Sequence, residues 1–286
     1  MNKKNHLNSM NKENKVSQKY ILDLSGKFLF MRHGQSFFNR LTEDNRRYNP
    51  ELCDAHLSEE GIKQAKSRQE DINKINLEKV YVSPYHRALE TMSYALENHP
   101  NINNIIVTVH PKIGEIIGCG HDFIFDIKQN KKEFNMNSKV KVDWSIFDEY
   151  TKKSKYGENF YFFENMNLLD EKTKEELYMK LKSLYDNGEM AKYREEIGKF
   201  LKDNLRTDTQ FESFKHSHER FEEFKRYLHE EFKDTINNKD KKVLCVSHGA
   251  FIRTATSPVP FLKDEIKETI DNLYYVKNAE IISLLI

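Results

Sequence analysis

The chain has 286 residues, of which 38% are hydrophobic and 32% charged, with Lys+Arg at 46 against Asp+Glu at 45. That length suits one large α/β domain or a core carrying an insertion, and so even a charge balance gives no footprint for nucleic acid or an anionic membrane surface. Three widely spaced cysteines, Cys53, Cys119 and Cys245, include no CxxC pair, which argues against a disulfide framework and a zinc site and for a reducing, cytoplasmic setting.

Residues 1–20 are rich in Asn, Lys and Ser, lack the apolar stretch of a signal peptide, and read as a disordered tail. No later apolar run approaches the ~20 residues of a membrane span, so a soluble protein is expected. The first strand is Lys27 to Met31, ending abruptly in Arg32-His33-Gly34. A helix follows over Ser58 to Asn73, with Ser58 as N-cap, Glu59 and Glu60 in the first turn, and a stripe of Ile62, Ala65 and Ile72. Lys79 to Val82 is a second strand, halted by Ser83-Pro84, and Pro84 opens a helix whose first turn carries Arg87. A third strand, Ile105 to Val109, leads to Ile113-Gly114-Glu115.

Between about 118 and 208 the pattern turns Lys-rich and aromatic. Two helical stripes, Leu177/Leu181/Leu184 and Met190/Ile197/Leu201, flank Asn187-Gly188 as a helical hairpin, and Phe160 to Phe163 read as interior. This stretch is taken as a cap inserted over the sheet edge. An amphipathic helix with Phe211, Phe214, Phe221, Phe224, Leu228 and Phe232 returns the chain to the core. A fourth strand, Lys242 to Val246, then delivers Ser247-His248-Gly249, and Ile281 to Ile286 closes the sheet.

Four segment ends thus aim Arg32 with His33, Arg87, Glu115 and His248 at one edge, where open α/β sheets bind ligands. Two guanidinium forks and imidazoles suit a phosphate dianion. Arginine charges disfavour the imidazolium of His33 and keep a nitrogen free to attack phosphorus. Gly34 is expected to let the backbone approach the phosphate, and Glu115 to protonate a leaving alkoxide, with Asp122 the lesser alternative. Cys119 between Gly118 and Gly120 reads as a thiol near the site, weakly suited to redox regulation. His56 is structural or at the rim, His218 is a packing residue, and His86, His99, His110 and His121 show no ligand spacing.

Met31-Arg32-His33-Gly34-Gln35-Ser36 with Asn39, Asp54 to Gly61 with Gln64-Ala65, Ser83 to Thr91 around Arg87, and Ser247-His248-Gly249 together resemble, in order, the motifs of the histidine phosphatase (phosphoglycerate mutase-like) superfamily. The resemblance covers roughly residues 27 to 118 and 241 to 256. It implies a three-layer α/β/α fold with a mainly parallel sheet and a helical cap, occupying 21–286 with the cap at about 118–208. It further implies a phosphohistidine on His33, Glu115 as proton donor, and a substrate pocket of Arg32, Arg87, His248 and Gly249, with Asn39 and Arg40 at its rim. No metal and no cofactor are implied for hydrolysis. The expected substrate is a small phosphate ester or a phosphoprotein, and no motif fixes an oligomeric state. Mutases of this family usually continue the acid with Arg-His-Tyr-Gly, whereas Ile116-Ile117 follow Glu115 here. That favours a phosphatase over the alternative, a 2,3-bisphosphoglycerate-primed phosphoglycerate mutase. A second alternative, a phospho-ligand-binding module without turnover, has no need of a nucleophile.

Overall fold

The computed structural model describes residues 24–42, 44–137, 139–205, 210–256 and 275–284. The tail expected over 1–20 lies outside them. The first strand, β1 (Phe28–Arg32), is buried throughout and leads through a tight loop to the short helix α1 (Phe37–Arg40). The helix expected over 58–73 is two pieces, α2 (Glu59–Lys66) and α3 (Gln69–Ile72), because Ser67 ends the first by donating its hydroxyl to the Gln64 carbonyl. β2 (Leu77–Val82), α4 (His86–Leu96) and β3 (Ile106–Val109) follow.

The next stretch holds elements that its sequence did not suggest. Between α5 (Ile127–Asn137) and α6 (Ser145–Lys153), Lys141–Asp143 forms β4, which pairs parallel to β3 with Ile106 opposite Lys141. Part of the presumed cap therefore extends the sheet itself. The hairpin of α7 (Glu171–Asp186) and α8 (Met190–Asn204) turns at Asn187-Gly188, where Gly188 has φ +70, a left-handed conformation that favours glycine. Phe160, Tyr161, Phe162 and Phe163 are all buried. The long helix α9 (Phe214–Glu231) begins after Phe211, and β5 (Lys242–Ser247), α10 (Gly249–Ala255) and β6 (Ile281–Leu284) complete the described elements.

The sheet runs β4-β3-β2-β5-β1-β6, with β6 antiparallel to β1 and the other pairs parallel. Period-two alternation divides each central strand between two cores. Leu29 and Met31 face one way, with Leu244 and Val246, onto Leu89 and Met92 of α4. Phe28 and Phe30 face the other, with Val243 and Cys245, onto Phe221, Phe224 and Leu228 of α9. This is a three-layer α/β/α architecture, and strands covered on both faces explain the unbroken apolar runs. Among the described residues, no helix is long and apolar enough to cross a membrane.

One backbone contact seats the β1–α1 loop. A Cβ on Gly34 would lie 2.5 Å from the Gly61 carbonyl oxygen, and one on Gly61 would lie 2.0 Å from the Gln35 carbonyl oxygen. Glycine at 34 thus serves contact with α2, a different reason from the phosphate approach expected of it. Ser58 Oγ and Gln64 Oε1 hold Gln35 from the same helix. Because both surfaces are backbone, neither yields easily, and Gly61→Ala should cost about 1–3 kcal/mol. Urea denaturation measures this; a loss under ~0.5 kcal/mol, the range of neutral surface changes, contradicts the contact.

Candidate active site

The parallel strands deliver their C-terminal ends to one edge, and the expected residues meet there. His33 and His248 stack obliquely with ring centroids 5.1 Å apart. One side-chain donor atom each from His33, Glu115 and His248 lies within 4.8 Å of the other two. His33 Nδ1 sits 2.6 Å from the Gly34 carbonyl oxygen. A carbonyl only accepts, so Nδ1 carries the proton and Nε2 keeps its lone pair. Burial, then Arg87 and Arg32, hold the His33 imidazole well below its ordinary pKa. The two arginine charges anticipated from sequence are thus real but secondary to desolvation.

Each arginine is fixed from behind. Arg87, fully buried, donates Nη1 to the His121 carbonyl (3.0 Å) and Nη2 to Asp122 Oδ1 (3.0 Å). Arg32 donates Nη1 to Tyr275 Oη (2.7 Å) and to the Val276 carbonyl (2.8 Å). Gly249 makes room for it, since a Cβ there would lie 2.8 Å from Arg32 Nε. Thr91 Oγ1 accepts from the Gly34 N–H and donates to the Arg87 carbonyl, linking the two arginine-bearing segments.

Three buried donors are left over. Arg32 Nε, Arg87 Nε and His248 Nδ1 have no partner among the described residues. An unmade buried hydrogen bond costs about 1–3 kcal/mol, so a ligand with several acceptor oxygens recovers what the protein alone does not. His248 Nε2 meets Ser83 Oγ at 2.7 Å. The hydroxyl can donate there, which leaves Nδ1 to carry a proton toward such a ligand.

Glu115 is buried rather than in an exposed loop, and its Oε1 accepts the N–H groups of Ile116 (3.0 Å) and Phe251 (3.1 Å). Arg220 ties down this loop by donating to the carbonyls of Lys112 (2.8 Å), Gly114 (3.2 Å) and Glu115 (3.4 Å). Glu212 neutralises Arg220 at 2.7 Å and accepts the Ile117 N–H. Asp122 is the carboxylate behind Arg87, and burial pushes it up to about 7 against the pull of the guanidinium and the Gly118 and Cys119 N–H groups. His121 stacks on Phe38 at 3.7 Å. Cys119 is buried and its thiol is raised well above its ordinary pKa by desolvation, so it is not the accessible thiol its neighbours suggested.

Two rim expectations change. Asn39 spends its carboxamide oxygen on Ser36, in the cap of α1. Arg40 is exposed and lines a separate cavity of about 370 Å³ with Phe37, His56, His86, Phe125 and Arg194.

Residues 28–148 match the family model of the histidine phosphatase superfamily, branch 1. Over this segment the chain is similar to the histidine phosphatase superfamily. No curated protein matches it. Among solved structures, phosphoserine phosphatase from Entamoeba histolytica with 3-phosphoglyceric acid is similar at 18% identity, covering 89% of this chain and 87% of that one, with TM-score 0.42. A mycobacterial glucosyl-3-phosphoglycerate phosphatase gives 15%, 89%, 87% and 0.46, and Bacillus anthracis phosphoglycerate mutase 17%, 91%, 90% and 0.44. The superfamily motifs did not point to Arg220, Glu212 or Tyr275, which come from segments with no local phosphate signal.

Two outcomes follow from this arrangement. Arg220→Ala strips the buried Glu212 of its partner and should lower stability by about 3–5 kcal/mol, read by chemical denaturation; a loss below ~1 kcal/mol contradicts the arrangement. Burial holds His33, His110, His121 and His248 below their ordinary pKa in the folded chain. The unfolded chain then binds more protons below about pH 6.5, so stability falls with falling pH. Asp122, raised to about 7, offsets one of these four protons, and His56, raised by Glu90, acts above that window. Thermal unfolding temperature should decline from pH 6.5 to 5; a flat or rising profile contradicts neutral burial.

Proposed function

We propose that the protein is a phosphomonoesterase that transfers the phosphoryl group of a small phosphate ester to His33 and then to water. The carrying observation is the His33 tautomer, since Nδ1 is committed to the Gly34 carbonyl and Nε2 is left as the nucleophile. In the first step Nε2 attacks phosphorus, the P–O ester bond breaks, and Glu115 protonates the leaving oxygen. In the second, Glu115 takes a proton from water, which attacks the phosphohistidine and releases phosphate as the P–N bond breaks. Arg32, Arg87 and His248 supply preorganised donors to the non-bridging oxygens and stabilise the charge shared among them in transfer. His33 is 2% exposed and His248 0%, which suits a compact phosphoryl group bound away from bulk water. Hydrolysis is favoured over the mutase reaction because Ile116 and Ile117, after Glu115, are buried apolar residues with nothing to offer a substrate carboxylate.

The test is phosphate release from p-nitrophenyl phosphate and a panel of phosphate monoesters including 3-phosphoglycerate. His33→Ala should lower turnover by roughly 10³-fold or more while keeping its fold, and Glu115→Gln should reduce kcat by about 10²–10⁴-fold. Quenched wild-type enzyme should carry acid-labile phosphate on His33. The acid limb of kcat/KM should lie well below pH 6.5, because His33 stays neutral there. Turnover that survives His33→Ala overturns the mechanism, and isomerisation of 3-phosphoglycerate outpacing hydrolysis overturns the phosphatase reading in favour of a mutase.

A further inference from the structure

The 370 Å³ cavity is bordered by a second group of titratable side chains. His86 lies in the first turn of α4, and Glu90 one turn later puts its carboxylate on the same helix face. Glu90 Oε2 accepts the Leu57 N–H at 2.6 Å, which brings the preceding residue, His56, alongside. The His56 and His86 ring centroids are 3.7 Å apart, and His56 Nδ1 lies 3.3 Å from Glu90 Oε1. From α5, Glu133 directs Oε1 to 3.6 Å from His86 Nε2.

His86 carries the second observation. Its Nδ1 meets Asn130 Oδ1 at 3.1 Å, and the orientation of that amide is set because Asn130 Nδ2 donates to Asp54 Oδ2. An amide oxygen only accepts, so His86 Nδ1 carries a proton and Nε2 is the ring nitrogen turned toward the carboxylates. His86 is 3% exposed, and its Nε2 has no hydrogen-bond partner among the described residues. The nearest acceptors are Glu90 Oε1 at 3.8 Å and Glu133 Oε1 at 3.6 Å, too long for hydrogen bonds. A buried, unpartnered ring nitrogen beside two carboxylates leaves room for a cation among them. With metal–ligand bonds of about 2.0–2.1 Å, a tetrahedral zinc shell spaces its donors roughly 3.3–3.4 Å apart, and the donor atoms of His56, His86 and Glu90 lie within 4.8 Å of one another. A ligand imidazole whose other nitrogen donates to a fixed oxygen is also what such sites require.

We propose that His56, His86 and Glu90 bind a zinc-class divalent cation beside this cavity, with the Glu133 carboxylate closing in from next to His86 Nε2. Imidazole with carboxylate favours Zn²⁺, Co²⁺ or Cu²⁺ over Mg²⁺ or Ca²⁺. The site is built by long-range contact among the 54–57 loop, α4 and α5. It is distinct from the His33 centre and does not depend on the phosphatase reading.

The test uses the full chain freed of metal by a chelator, titrated with zinc chloride in a calorimeter, and with Co²⁺ for its visible ligand-field absorption. One equivalent should bind to wild type, His33→Ala and Cys119→Ser alike; the latter two remove a donor from each of the other His- or Cys-containing clusters. Affinity should fall at least tenfold in His56→Ala, whose side chain is 55% exposed and dispensable for folding, and in Glu133→Gln. The proposal fails if wild type takes up no zinc, if binding is unchanged in both ligand variants, or if it is lost with His33 or Cys119 instead.

Discussion

The whole arrangement rests on burying two guanidinium groups against neutral imidazoles. Arg32 and Arg87 cannot lose their protons, and taking such ions out of water costs several kcal/mol each. Arg87 has one carboxylate, Asp122, at 3.0 Å, whereas Arg32 is held only by the Tyr275 hydroxyl and the Val276 carbonyl among the described residues. Burial keeps Asp122 near neutral pKa, so even Arg87 is not fully compensated. The protein therefore presents an electrostatic demand that a dianion answers. The same field discourages protonation of His33, His248 and His121, each of which is lowered by burial first and Arg87 second. Cation burial and the neutral state of these imidazoles are thus one physical fact seen from several residues.

Holding charges in that state needs a stiff surround, and the structure supplies it with backbone and ion pairs. Arg220 spreads over three carbonyls of the Glu115 loop and is neutralised by a fully buried Glu212. Breaking one member leaves the other uncompensated, so the pair specifies the loop position more than it adds net stability. On the other side, the Gly34–Gly61 contact and Thr91 lock the segment that bears His33. Groups placed this way reorganise little when charge moves beside them.

The residues at strand ends were legible because their signal is local: an apolar run that stops at Arg32-His33-Gly34 or Ser247-His248-Gly249 marks a buried strand and its functional edge. What the sequence concealed is made by distant partners. Asp122 looked like a spare acid and proves to be the anchor of Arg87. Arg220 and Glu212 sit around a helix start that reads only as amphipathic. β4 has one apolar residue, Val142, in three, too short a run to betray a strand at a sheet edge. The helix expected over 58–73 kept an apolar stripe across its break, because Ile72 of α3 is as fully buried as Ala65 of α2, and periodicity alone does not see a change of axis.

His86 shows most clearly how a residue's meaning depends on context. Counted along the chain, it has no second histidine at ligand spacing. Folded, its Nδ1 is committed through Asn130 to Asp54, and that same Asp54, in a left-handed conformation at φ 46, accepts the His86 N–H at the start of α4. Asp54 thus caps the helix that carries Arg87 and, through one amide, sets the tautomer of the neighbouring imidazole. Arg87 follows His86 by one residue, so Asp54 helps to position the same first turn of α4 that Asp122 holds through Arg87. Any change at Asp54 therefore reaches both Arg87 and the His86 cluster.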